Sequence, residues 1–238
     1  MMTAAALLIA ADLFIAIRAQ DLQQVEDLLA GDQTLASKED ENGASPVSVA
    51  LGLMRDKESF LPRKDNRILD AILRRNPPLS PFELAAVGTA WQVRSLIAVD
   101  ARYPHSYARN GWTPLHYAAF ADNAATAAAL LDAGADVNAR AKNRFDNTPL
   151  QVALLTSSRS AARLLLERHA DVSARQSEGI TALHEAAQSG DLAIIRMLLA
   201  AGADPAAESP KFGTPRDLAR KAGHEDAAKL LESARNSK

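Results

Sequence analysis

The residue types able to do chemistry are few and poorly grouped. The 238-residue chain has no cysteine, which removes thiol nucleophiles, disulfides and thiolate metal sites together. Five histidines remain: His105, His116, His169, His184 and His224. No two stand four apart, the spacing that sets two imidazoles on one helix face to hold zinc. The acidic run "KEDENG" (residues 38–43) reads as a solvated loop. There is no G-x-S-x-G, no phosphate-cradling glycine loop and no H-E-x-x-H. His105, in "ARYPHSYARN" (residues 101–110), is the one histidine to which an enzymatic reading would turn. The sequence therefore proposes no catalytic site, no metal and no cofactor, and the chain reads as a non-enzyme.

Charge points the same way. Formal net charge is −2, with 12 basic against 14 acidic residues up to Arg109 and 15 against 15 after it. Neither half is basic, so nucleic acid and anionic membranes are not expected partners. No long uncharged apolar run suggests a membrane span. The opening "MMTAAALLIAADLFIAIRA" (residues 1–19) is apolar, but it lacks a basic leader and Asp12 interrupts it. A helix is the preferred reading. A signal segment, with the periplasmic or secreted location it would bring, is the alternative to a cytoplasmic protein. Ala and Arg usage is that of a GC-rich bacterial genome.

The elements that would position these residues follow from internal repetition. The chain writes "NGWTPLHYAAF" (residues 110–120) and again "EGITALHEAAQ" (residues 178–188). Threonines at 113, 148, 181 and 214 open "TPLHYAAF", "TPLQVALL", "TALHEAAQ" and "TPRDLARK", at spacings of 35, 33 and 33. Each is followed by a Leu-rich stretch. Thr113 suits a helix N-cap and Pro114 the first helical turn, where a missing N–H costs nothing. Ala118 and Ala119 let a second helix approach closely, and Leu130 and Leu131 bury that helix. Gly134 supplies a left-handed stop, which His169 must adopt in the next copy. With aromatics at only 5%, the core must consist of thin layers of Ala, Leu, Ile and Val.

This pattern closely resembles the ankyrin repeat, a helix–turn–helix with a β-turn finger of about 33 residues and a T-P-L-H-x-A signature. The resemblance is strong from residue 109 onward. It implies an all-α solenoid with fingers at right angles to the helices. Fainter copies open at Ser80 and Ser45, and "ADLFIAIRAQDLQQVEDLLAGD" (residues 11–32) is expected to form a first, capping unit. The expected array is one domain over 1–238. Its units are 11–43, 44–78, 79–109, 110–144, 145–177, 178–210 and 211–238, the first three degenerate. Residues 54–65 are an insertion between helices, and the polar last unit is a C-terminal cap.

The resemblance also implies roles. His116 and His184 occupy a position that ties neighbouring loops together, and His224 opens a second helix. Partners of the family are gripped by finger tips and by the inner face of the first helices. Here those positions hold Tyr103, Tyr107, Arg109, Trp112, Phe120, Arg144, Phe145, Asn147, Ile180, Lys211 and Phe212, with Leu155 and Gln188 beside them. Large aromatics with arginine are the residues enriched at binding hot spots. Trp112, just before the threonine, is expected to face solvent, and Phe145 lies in a finger two residues longer than its neighbours. In the insertion, Phe60 and Leu61 are a further possible anchor. The expected function is a protein-binding scaffold, monomeric when free. The alternative is a dedicated regulatory or accessory subunit, antitoxin-like or immunity-like, of one enzyme.

Overall fold

The computed structural model describes residues 4–53 and 67–236, with side chains from residue 10 onward. The insertion expected at 54–65 lies outside the described residues. Every regular element among the described residues is helical, apart from a single antiparallel bridge between Ser209 and Gly213. None of these helices is long and apolar enough to cross a membrane. The chain divides into two compact units, residues 1–83 and 84–238.

The first unit holds α1 (Ala4–Ala19), α2 (Leu22–Gly31), a 3-10 turn (Gln33–Ser37), α3 (Pro46–Gly52) and α4 (Arg67–Leu73). Leu13, Phe14 and Ile17 recur at helical spacing and are fully buried. The apolar stretch from Ala10 is thus the core face of α1, which packs on α2 and α3. Asp21 caps α2 by accepting the Gln24 N–H at 3.0 Å, and Ser45 caps α3 through the Ser48 N–H. The buried Glu83 carboxylate is fully engaged: it accepts the Ser80 N–H at 2.8 Å and the Ser45 hydroxyl.

The division between units falls within α5 (Pro81–Val87). Beyond it stand α6 (Ala90–Val99), a 3-10 turn (Tyr103–His105), α7 (Pro114–Phe120), α8 (Ala124–Asp132), α9 (Pro149–Leu155) and α10 (Arg159–Glu167). They are followed by α11 (Ala182–Ser189), α12 (Leu192–Ala200), α13 (Pro215–Lys221) and α14 (Glu225–Asn236). Helices α7, α9, α11 and α13 stack as one layer, and α6, α8, α10, α12 and α14 as a second. One apolar cluster runs between the layers. Small residues such as Ala118, Ala153 and Ala186 face Leu130, Leu165 and Leu198 across it. Each fully buried leucine stabilises the stack by about 2 kcal/mol, while the alanines hold the layers close enough for those contacts.

Polar side chains at the helix–helix turns lock successive units. Asn123 caps α8 and also donates to the carbonyls of Ala86 and Gly88, at 3.0 and 2.9 Å. Asp122 accepts the Ala161 N–H at 2.8 Å, so the turn of one unit caps a helix of the next. His169 adopts the expected left-handed backbone, φ +61°.

Candidate protein-binding surface

Four fingers leave the second unit, each closed by its own backbone bonds. In the first, Ala108 N–H donates to the Trp112 carbonyl at 2.8 Å. The second closes from Ala141 to Asn147, the third from Gln176 to Ile180 and the fourth from Ser209 to Gly213. The second is two residues longer than the others, which is the source of the single 35-residue spacing among the threonines.

The bases of the second, third and fourth fingers are each held by the fourth residue of the T-x-x-x motif in the repeat before. His116 Nδ1 accepts the Thr113 N–H at 3.2 Å, and its Nε2 lies 3.1 Å from the Asn147 carbonyl. The backbone N–H must donate, so the ring is the neutral tautomer with its proton on Nε2, given to Asn147. His184 repeats the arrangement between Thr181 and the Gly213 carbonyl, at 3.2 and 3.0 Å. Gln151 does the same with an amide: Oε1 accepts from Thr148 N–H, and Nε2 donates to the carbonyls of Ala174 and Ile180. Burial pushes His116 down to about 4 and also lowers His184, where the nearby Arg175 adds to the effect. Both rings are structural ties, as the resemblance implied.

Neighbouring fingers are stitched at their tips. Lys142 N–H donates to the Gly111 carbonyl at 2.8 Å, and Asn143 Nδ2 to the Asn110 carbonyl at 2.9 Å. That approach requires glycine at 111, where φ is +81° and a Cβ would stand 2.4 Å from the Lys142 carbonyl oxygen. Ser177 N–H reaches the Phe145 carbonyl, and Ser209 Oγ the Glu178 carbonyl. Arg140 holds Asp146 through paired hydrogen bonds and also donates to the Arg175 carbonyl at 2.7 Å. The bonds to Arg140 keep the Asp146 carboxyl below its ordinary range.

Against this geometry the expected contact residues separate. Tyr107, Arg109, Arg144, Phe145 and Lys211 are exposed at the tips, and Phe212 is half-buried. Tyr103, Phe120, Asn147 and Ile180 are buried and correct the expectation: none offers its side chain to a partner. Tyr103 belongs to the apolar cluster between the layers, where burial pushes its phenol up. Asn147 and Ile180 immediately precede the motif threonine, and their carbonyls receive His116 and Gln151, so that position faces the seam between units. Trp112 occupies the same position and is half-buried, not fully solvent-facing. Its ring stacks on His116 and meets Tyr117 and Phe120, with centroids 6.1, 5.4 and 5.5 Å away. His105 is exposed on its 3-10 turn.

The exposed tips carry cations over rings. Lys142 Nζ lies 3.7 Å from the Tyr107 centroid, the Arg144 guanidinium 4.7 Å from Phe145, and Lys211 Nζ 4.9 Å from Phe212. Lys211 is also paired with Glu178 at 2.7 Å.

The family comparison falls on these units. An ankyrin-repeat model matches residues 110–142, and a model of three tandem ankyrin repeats matches residues 137–209. Residues 110–209 are ankyrin repeats. The matched residues carry α7 to α12 and the second and third fingers whole, and ankyrin repeats are in general protein–protein interaction modules. No curated protein gives a significant match.

Besides Ile15 on α1, two exposed apolar residues were not singled out from the sequence. Trp91 and Val99, on α6, are 73% and 87% exposed. Aligning the repeats on their opening Ser or Thr would have exposed them. Ala124, Arg159, Leu192 and Glu225 stand where Trp91 does, and Asp132, Glu167, Ala200 and Ser233 where Val99 does.

Proposed function

We propose that this ankyrin-repeat chain is a non-catalytic protein-binding module whose contact surface is the ridge formed by its first two finger tips. The observation that carries the reading is Phe145, large, apolar and 41% exposed on a finger two residues longer than its neighbours. Tyr107, 36% exposed, stands on the adjacent tip. Completing the burial of Phe145 in a complex removes about 80 Å² of apolar surface from water, worth about 2 kcal/mol. That is the scale of a binding hot spot. Both rings are held by backbone-stitched fingers, so little ordering entropy is lost on association.

The test is affinity capture with mass spectrometry, using the wild type and an Arg144→Glu/Phe145→Ala double variant. Both residues are exposed, so the variant should keep the wild-type circular dichroism and melting behaviour. The reading expects at least one stoichiometric partner to be captured by the wild type and lost by the variant. If every captured partner survives the double change undiminished, the surface lies elsewhere.

A further inference from the structure

We propose that the occupant of this ridge is an acidic, aliphatic segment of a partner protein, lying across the tips of the first two fingers; the proposal rests on the reading of the ridge as a protein-binding surface. Charge is unevenly disposed along the fingers. The chain as a whole is acidic, net −2, yet its first two tips gather Arg109, Lys142 and Arg144, all exposed. Among the described residues none of the three makes an ion pair. The carboxylate nearest in sequence, Asp146, is occupied by Arg140. Further along the ridge Lys211 is neutralised by Glu178, and Arg175 has its guanidinium engaged by the carbonyls of Gly179 and Glu208. The first two tips therefore gather three cations without an ion pair, against Arg175 alone beyond them.

The stitching bonds from Lys142 to Gly111 and from Asn143 to Asn110 hold these cations on one continuous edge. Lys142 and Arg144 are held over the Tyr107 and Phe145 rings. Each cation is thereby steered without being neutralised, since a ring supplies a quadrupole and no countercharge. A carboxylate approaching from solvent gains a charge-assisted bond with Lys142, and a two-pronged one with Arg109 or Arg144. The exposed parts of the two rings then accept an aliphatic side chain between the carboxylates. A nucleic acid fits less well. Its phosphates follow one another along the strand and would run from the three cations onto Glu178 and Glu208. A protein segment can place its acids over the first two tips and neutral residues beyond.

The probe is a short fluorescein-labelled peptide alternating Glu and Leu, measured by fluorescence anisotropy with the full chain. Its Gln-for-Glu counterpart and an oligo(dT) strand are measured alongside. The proposal expects the acidic peptide to bind at least about ten-fold more tightly than the Gln peptide, and to weaken with added salt. Lys142→Glu/Arg144→Glu should abolish that preference. Arg94→Glu/Lys221→Glu, which changes net charge equally at exposed sites away from the ridge, should leave it intact. Equal binding of the two peptides, equal loss in both double variants, or tighter binding of oligo(dT) overturns the proposal. Capture of a tip-dependent partner together with indifference to peptide charge would remove the acidic chemistry and leave the protein-binding reading standing. A captured partner that survives Arg144→Glu/Phe145→Ala would remove the reading itself.

Discussion

Replacing His116 by glutamine should leave the neutral protein nearly as stable as the wild type and remove much of its sensitivity to acid. In the next repeat Gln151 already makes the same ties. Glutamine at 116 can accept the Thr113 N–H through its oxygen and donate to the Asn147 carbonyl through its nitrogen, but it cannot titrate. His116 can. Its folded-state pKa is pushed down from 6.5 to about 4, chiefly by burial. The unfolded chain therefore takes up the proton first. The stability held by the neutral ring is complete above pH 6.5 and is lost as pH falls toward 4. At about pH 4.5 the loss amounts to about 2.5 kcal/mol. The assay is urea denaturation followed by circular dichroism, at about pH 7.5 and about pH 4.5. The drop in unfolding free energy between the two should be smaller in His116→Gln by about 2.5 kcal/mol. His116→Ala, which strands a buried N–H and a buried carbonyl, should cost about 2–4 kcal/mol already at neutral pH. The reasoning is refuted if His116→Gln weakens in acid as steeply as the wild type, or if it is as unstable at neutral pH as His116→Ala.

Other expectations concern the turns. Gly190→Ala would place a Cβ 2.5 Å from the His224 ring at a φ of +70°, whereas Gly134→Ala, at φ +86°, meets open space. Thermal melts should show the first losing clearly more than the roughly 1 kcal/mol the second loses to backbone strain alone. His169→Gly, at φ +61°, should raise stability by about 0.5–1 kcal/mol in the same melts, by removing a side chain from a left-handed position. Asn123→Ala deletes a cap and two bonds into the preceding turn; a loss of about 2 kcal/mol in chemical denaturation is expected, and a loss below about 0.5 kcal/mol would show that the turn lock carries little.

Much of the second unit was legible in the sequence because its determinants are local. A threonine at the head of the motif caps a helix, with a proline after it in three of the four copies, and the four threonines marked α7, α9, α11 and α13. The 35-residue step disclosed the longer second finger, and the absence of glycine at 169 disclosed a residue forced into positive φ. His116 and His184 could be read as ties from the family resemblance, and each reaches the carbonyl of the residue just before the next motif threonine. Each of these readings needs only one repeat and its neighbour.

Exposure was the part that composition and spacing did not carry. The residue before the motif threonine was read as facing solvent, yet Asn147 and Ile180 are buried, with His116 and Gln151 of the preceding repeat on their carbonyls, and Trp112 is half-buried against His116, Tyr117 and Phe120 of its own. Tyr103 likewise lay in a nominal finger and turned into the apolar cluster. Which cations lack a countercharge was equally hidden. Arg140 and Arg144 are four residues apart in one finger, but the first meets Asp146 and the second only the Phe145 ring. The sequence by itself determined the helices, their caps and the period at which they stack, since short-range sterics and hydrogen bonding specify these. Only the tertiary structure decided which side chains the adjacent unit covers, and hence which edge a partner can touch. Burial and the ties between fingers are set by neighbours 29 to 33 residues away along the chain, which approach within a few ångströms only once the repeats stack.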